Sequence, residues 1–253
     1  MSRSLERALS ILALYNNDKK EWGISEISNE LNLPKSTIHG LVATLAGNNF
    51  LYQNQNGKYR LGIKVFELGM AYSTNVDIGY AAEPFIKALL VKYNQSVHMA
   101  VFAGRSAVFI ANNQAENGAG IFPHVGAVVS AYCTGVGKVL LAWQSPDYIE
   151  NYLAQEHFLP VTKNTITTTE DLRLELQKIK QQGYSLDHGE ALTDTGCISA
   201  PILGPEGQIL AAISISGPID QVLNEKTMQN CIQDVMDAAH NISRVMGFSG
   251  SLA

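Results

Sequence analysis

Three cysteines in 253 residues, Cys133, Cys197 and Cys231, are too few, too far apart and odd in number, which argues against a disulfide framework. No run of 18 apolar residues occurs, so no membrane-spanning helix is expected. Arg3, Glu6 and Arg7 interrupt the apolar stretch that a signal peptide would need. These absences together lead to the expectation of a cytoplasmic protein. Internal repeats are missing, and so are the signatures of common enzymes. Gly137-Lys138 hints at a phosphate-binding loop, but Tyr132 stands where that motif needs glycine and Val139 where it needs a hydroxyl. Gly135 and Gly137 begin a dinucleotide fingerprint that ends wrongly on Leu140. There is no G-x-S-x-G, C-x-x-C or H-E-x-x-H. No catalytic constellation, cofactor or metal is therefore expected.

Positive charge is also scarce: the formal net charge is −5. It is unevenly spread. Residues 1–75 hold 8 Lys+Arg against 6 Asp+Glu, whereas residues 76–253 hold 10 against 17. That asymmetry confines any nucleic-acid contact to the first part. A surplus of two charges is small, so one copy should bind weakly and pairing of copies is implied.

The N-terminal pattern explains what the surplus is for. Ser4 to Tyr15 reads as an amphipathic helix with Leu5, Ala8, Leu9, Leu12 and Ala13 on one side. Ile24 to Leu31 reads as a second, with Ser25 as its N-cap. Asn32-Leu33-Pro34 breaks it, and Pro34 suits the first turn of a third helix through Leu45. That helix buries Ile38, Leu41, Val42 and Leu45 and opens on Lys35, Ser36 and Thr37. Short donors and a lysine at a helix N-terminus are what base edges and phosphates require. Two strands, Phe50 to Gln53 and Lys58 to Leu61, turn around Asn56-Gly57. The sum is a winged helix-turn-helix, with a helix from Gly62 towards Asn75 as a stiff connection and a boundary near Ser73 to Gly79.

The second part mixes helices and alternating strands. Helices are expected over Pro84–Tyr93, Gly135–Trp143, Ser145–Leu153, Thr169–Gly183 and Glu225–Val245. Strands are expected over Val97–Phe102, Ala107–Ala111, Val128–Tyr132, Tyr184–Asp187, Cys197–Leu203 and Gln208–Ser216. Helices flanking an antiparallel sheet make an α+β domain. Thr134-Gly135-Val136-Gly137 lies where loop becomes helix, so exposed amides could meet an anion there, the glycines letting a ligand come close. Ser214 and Ser216 share one face of a strand. Asp187 and Glu190 add acceptors for hydroxyls. With Lys and Arg scarce here, neutral donors would hold a small, weakly charged ligand. His124 with Cys133 and His188 with Cys197 repeat one spacing. A soft-metal site would need these loops to meet, and ordinary buried cysteines are the simpler reading.

With these residues in view, the chain resembles the IclR family of bacterial transcription regulators over nearly its whole length. Leu33-Pro34-Lys35-Ser36-Thr37-Ile38-His39, then Leu41, and Tyr59-Arg60-Leu61-Gly62 match the family's helix-turn-helix and wing. Gly183, Asp187, Glu190, Cys197-Ile198-Ser199 and Ile202 fall at the spacing of its signature. Thr134 to Lys138 and Ser214-Ile215-Ser216-Gly217-Pro218 match two further landmarks. The resemblance implies residues 1–62 as a winged helix-turn-helix, 63–78 as a linker helix, and 79–250 as a GAF-like effector-binding and oligomerisation domain. It further implies double-stranded operator DNA as partner, a small organic acid as effector, and a homodimer or homotetramer. Effector contacts are implied at Gly135, Val136, Asp187, Thr195, Cys197, Ser214 and Ser216, with Ile121 on the apolar side. The family usually has arginine after the position of His39 and an aromatic followed by Asp or Asn at the end of the signature. This chain has Gly40 and Leu203-Gly204.

The expected function is a ligand-responsive DNA-binding regulator. Ser36, Thr37 and His39 would probe the major groove, Lys35, Lys58 and Arg60 would hold phosphates, and Tyr59 would support the wing. The alternative from another class is an enzyme working through Asp187, Glu190 or Cys197, with the winged helix as a partner-binding module. A third is an interaction module with a filled core behind Gly135.

Overall fold

The computed structural model describes residues 2–16, 19–75, 78–115 and 123–250. The chain divides into two compact units, Met1–Val76 and Asp77–Ala253.

In the first unit, α1 (Arg3–Ala13), α2 (Ile24–Glu30) and α3 (Lys35–Gly47) surround a core of Ile11, Trp22, Ile27, Ile38, Val42, Leu45 and Leu51. Ile38, Val42 and Leu45 recur at helical spacing on α3 and carry its inner face, while Leu41 is only partly buried. The N-cap of α2 is Gly23, not Ser25: its amide donates to the Glu26 carboxylate at 2.6 Å. Glutamate three residues into the helix reaches back to the cap, which the hydroxyl at Ser25 is not placed to do. Pro34 is likewise the cap of α3 rather than part of its first turn, with ψ 139°. Its carbonyl accepts from Ile38. β1 (Leu51–Gln53) and β2 (Tyr59–Leu61) pair antiparallel with Leu51 opposite Leu61. The wing turn spans Asn54 to Gly57. Gly57 takes φ +76°, and the Asn54 side chain accepts from the amides of Asn56 and Lys58. α4 (Ile63–Asn75) follows.

The second unit is built on six antiparallel strands in the order β5-β4-β3-β8-β7-β6. These are β3 (Ser96–Ala103), β4 (Ser106–Asn113), β5 (Val128–Ser130), β6 (Ser185–His188), β7 (Thr195–Leu203) and β8 (Ile209–Pro218). α5 (Ile78–Tyr93) and α10 (Met228–Val245) cover one face, and α6 (Gly135–Ala142) covers the other. α7 (Pro146–Gln155), α8 (Thr169–Gln182) and a four-residue α9 (Ile219–Val222) complete the unit. This is the expected α+β architecture. Several bounds differ. α5 begins six residues before Pro84 and runs through it, so the proline lies inside the helix instead of opening it. The strand expected to reach Tyr132 ends at Ser130, and Ala131–Cys133 form a 3-10 turn that leads into α6. α8 opens at Thr169 as expected, capped by Thr168, whose hydroxyl accepts from the Asp171 amide at 3.1 Å. The last helix starts at Met228, behind α9, which the sequence pattern did not show.

Alternation along the strands sorts the sheet faces. Val97, Met99, Ile198, Ile213 and Ile215, all fully buried, share the face under α5 and α10. The α6 face is mixed: Ala100, Phe109 and Ala212 pack in one cluster with α6, and polar rows lie beside them. Strand register places Ser185, Ser199, Ser214, His98 and Asn112 in one row across five strands. Asp187, Cys197, Ser216 and Ser96 form the next row.

Candidate functional site

Two places gather the residues singled out above. On the first unit, Lys35, Ser36 and His39 are exposed and Thr37 is half-buried at the start of α3. No side chain caps this helix end, so its first-turn amides are available to an anion. Gly40 is exposed, and a side chain added there would meet nothing within 4 Å. In the wing, Tyr59 is half-buried and exchanges backbone hydrogen bonds with Trp22 at 2.8 and 3.0 Å, a structural part for its backbone and ring. The two basic wing residues already have acidic partners. Lys58 pairs with Glu26 at 3.2 Å and Arg60 with Glu21 at 2.9 Å. The hydrogen bond to Gly23 and that to Lys58 hold the Glu26 carboxyl below its ordinary pKa. Such half-exposed pairs contribute little to stability and can open.

On the second unit, Gly135, Val136, Asp187, Thr195, Cys197, Ser214 and Ser216 line one cavity together. It offers about 70 Å³ to water-sized spheres within about 510 Å³ of unfilled space that includes its mouth. Ile121 lies outside the described residues. His98, Phe109, Pro123 and Val129 also line the cavity and were missed by sequence reasoning. Local alternation does not mark His98, which falls out of phase with Val97, Met99 and Val101 in a strand buried on both faces. Recognising it needed the register that sets it beside Ser214.

Two features change the chemistry expected at the start of α6. A side chain on Gly135 would fall 2.7 Å from the Ser199 hydroxyl, and one on Gly137 2.5 Å from the Ala131 backbone. These glycines bring the helix close to β7 and its own entry turn, a packing requirement for glycine beside the ligand approach that the sequence suggested. The helix end also already faces an anion. Asp187 accepts from the Glu190 amide at 2.7 Å, and hydrogen bonds from Gly135 and Gly189 favour its ionised form. Burial nevertheless raises its pKa above the usual carboxylate value.

Lys138, set aside above as part of a failed phosphate motif, is the main structural cation. It is 1% exposed and donates to Glu190 at 2.5 Å, the Leu186 carbonyl at 3.0 Å and Glu175 at 3.1 Å. Burial works to lower its pKa, but Glu190 and Glu175 outweigh it and hold the ammonium charged. Burial, with the Asp187 charge adding and Lys138 opposing, pushes Glu190 up to about 7. This network ties α6 and α8 to the loop after β6. Thr162 and Thr165 fasten the same loop by hydrogen bonds to the carbonyls of Gly189 and Glu190, both at 2.7 Å.

Little here suits a nucleophile. Cys197 is buried and its thiol is pushed above its ordinary pKa, the opposite of an activated thiolate. All three cysteines are free and buried. Among the described residues no cluster of His, Cys, Asp and Glu could hold a metal ion, and no helix is long and apolar enough to cross a membrane.

A winged helix-turn-helix joined in one chain to an α+β unit with a polar-floored cavity defines a one-component regulator, a DNA reader carrying its own sensor. Comparisons with known proteins agree. Residues 4–55 match the IclR helix-turn-helix domain and residues 70–244 match the family described as "Bacterial transcriptional regulator IclR C-terminal". The chain belongs to the IclR family of transcriptional regulators. It is 31% identical to the HTH-type transcriptional regulator XynR of Escherichia coli, covering 97% of this chain and 98% of that protein. It is 28% identical to the HTH-type transcriptional repressor AllR of Salmonella typhi, covering 100% and 93%. An IclR homologue from Microbacterium hydrocarbonoxydans, solved with 4-hydroxybenzoate, shares the fold with a TM-score of 0.84 at 23% identity, covering 96% and 98%.

Proposed function

We propose that α3 and the wing bind double-stranded operator DNA and that a small organic acid in the α6 cavity modulates that binding. The observation that carries the reading is the convergence of seven expected effector residues, from α6, β6, β7 and β8, on one cavity. Gly135 packs directly against Ser199 and Cys197, but the cavity that it also lines supports a ligand site over a ligand-free interaction module. The 4-hydroxybenzoate held by the Microbacterium homologue supports an organic acid as the ligand class. Residues 1–62 serve as reader, 63–78 as linker and 79–250 as sensor. Ser36, Thr37 and His39 face base edges in the major groove. Lys35 and the uncapped amides of α3 meet phosphate. Lys58 and Arg60 reach phosphate by leaving Glu26 and Glu21, with Tyr59 holding the wing in place. Ser214, Ser216, Thr195 and the backbone at Gly135 and Val136 contact the effector, beside Asp187 and Cys197.

The reader acts as a homodimer or homotetramer in the cytoplasm. A net of two positive charges per copy supports few phosphate contacts, and doubling the module doubles them. Exposed Leu5 and Leu9 on α1, and Ile63, Phe66 and Leu68 on α4, offer apolar surface for pairing.

A thermal-shift screen against small organic acids, repeated with Ser214→Ala, tests the sensor. A ligand at a hundred times its Kd stabilises by about 2.7 kcal/mol. The expected result is a hit that is lost in the variant and that changes operator affinity. A panel without hits, or a hit that leaves operator affinity unchanged, overturns the reading. Lys58→Ala tests the wing: the salt dependence of DNA binding should flatten by about one unit.

A further inference from the structure

We propose that His98 and Ser214 form a second polar anchor in the effector cavity, so that the effector is a small monocarboxylic acid bearing a hydroxyl remote from its carboxylate. The inference rests on reading this cavity as the effector site. It starts from the polar row on the sheet. Ser185 donates to the Gly135 carbonyl at 2.8 Å, and Ser199 bonds Cys197 Sγ at 3.2 Å. Next in the row, Asn112 Oδ1, Ser214 Oγ and His98 Nε2 are buried without a hydrogen-bond partner, the last two facing the cavity. Ser214 and His98 stand directly opposite each other on β8 and β3 and are 1% and 2% exposed.

Buried polar groups are as a rule hydrogen-bonded, and an orphan calls for an explanation. Two neighbouring orphans facing one cavity have a common one, a ligand group that bonds both. Burial lowers the His98 pKa to about 4, with the neighbouring Asn112 amide oxygen pulling the other way. At neutral pH the imidazole is therefore uncharged and gives one donor or acceptor per nitrogen. A hydroxyl suits such a nitrogen beside a serine, whereas a second carboxylate would lack a cation here. Phe109 meets the imidazole edge-on, with centroids 5.8 Å apart, and Val129 and Pro123 extend the apolar wall. Asp187 lies on β6, three strands from β3, or roughly 14 Å at ordinary strand spacing. The cavity thus has polar chemistry at two ends and apolar chemistry between.

The test measures binding of two matched pairs, propionate with 3-hydroxypropionate and benzoate with 4-hydroxybenzoate, to the full chain by calorimetry. In the wild type the hydroxylated member of at least one pair should bind at least ~tenfold tighter. His98→Ala should bring that preference within about threefold, and His98→Gln, which keeps a hydrogen-bonding group, should restore part of it. Circular dichroism of each variant reports that it is folded. Equal affinity within both pairs, or a preference that survives folded His98→Ala, overturns the second anchor while leaving the effector site standing. Binding that is indifferent to both His98→Ala and Ser216→Ala puts the acids elsewhere and overturns the site reading itself. No binding of any of the four overturns the monocarboxylate class.

Discussion

The two units differ in how deeply they hold charge: both carry exposed ion pairs, Lys87–Glu83 and Arg173–Glu170 among them in the second, but of the described pairs only Lys138–Glu190 is sealed inside. In the first, the ion pairs Lys19–Glu26, Lys58–Glu26, Arg60–Glu21 and Lys64–Glu67 all lie at the surface, each side chain at least a third exposed. In the second, Lys138 and Glu190 are sealed inside, 1% and 6% exposed at their side chains. An exposed pair opens at little cost, which suits the proposed exchange of carboxylates for phosphates. A sealed pair cannot open without leaving a charge in a poor solvent, which suits a scaffold that holds a loop still beside the proposed effector site. One chain therefore uses the same residue types for release in one place and for rigidity in another. Depth decides between them.

The sharpest way to break the contrast is Lys138→Met. Removing one partner of a buried pair costs on the order of 3–5 kcal/mol. Amide hydrogen exchange should show that loss in α6, α8 and β6, with α1–α3 unchanged. An equal loss in both units, or none, would refute the division. Next comes His98. Its folded pKa of about 4 lies below the ordinary histidine value of 6.5, so the unfolded chain takes up the proton first. The stability this group leaves intact above pH 6.5 is lost as the pH falls towards 4. Glu190, raised from 4.5 to about 7, has the opposite sign: its contribution is full below 4.5 and is lost as the pH rises to 7. The two oppose each other in wild type, among neighbours that include Asp187 and Cys197. His98→Gln removes the acid-labile member. Its stability relative to wild type should improve between pH 7 and pH 5 by on the order of 2 kcal/mol, measured by denaturant unfolding. A constant difference would show that His98 does not titrate as placed.

The surface pairs should respond in binding rather than stability. Glu21→Gln and Glu26→Gln free Arg60 and Lys58, and glutamine at 26 can still accept from the Gly23 amide. Operator affinity should rise severalfold at low salt while the melting temperature hardly moves; weaker binding would mean the acidic partners orient the wing basics for DNA. The smallest effect is at Gly40. Gly40→Ala should stabilise the first unit by about 1 kcal/mol or less, because the helix interior gains a better former and the site has room. Destabilisation there would mean that α3 needs the glycine.

How much of this was legible in the sequence depended on range. α3 was readable because Ile38, Val42 and Leu45 carry the helical period and Pro34 marks the entry. The wing was readable because Asn56-Gly57 follows an alternating strand. Ser25 misled because a hydroxyl near a helix start resembles a cap, whereas Glu26 does the capping from inside. Pro84 misled for a similar reason, since proline more often opens helices than continues them. At the sensor, Ser214 and Ser216 declared a shared face by spacing alone. His98 did not stand out, because nothing local says which strand will lie beside β3.

What the sequence determined by itself was periodicity, charge partition and turn chemistry, and these settle the elements, the division into reader and sensor and the α+β class. They are local because each depends on neighbours within one turn or one strand. Only the tertiary structure decided which polar residues share a row, why Gly135 must be glycine, and that Lys138 is a buried anchor rather than a phosphate ligand. Those facts join residues distant in the chain, as Ser185 lies beside Ser199, 14 positions on, and His98 beside Ser214, 116 positions on. Burial then sets their chemistry, because a charge or an imidazole behaves according to the solvent it has lost.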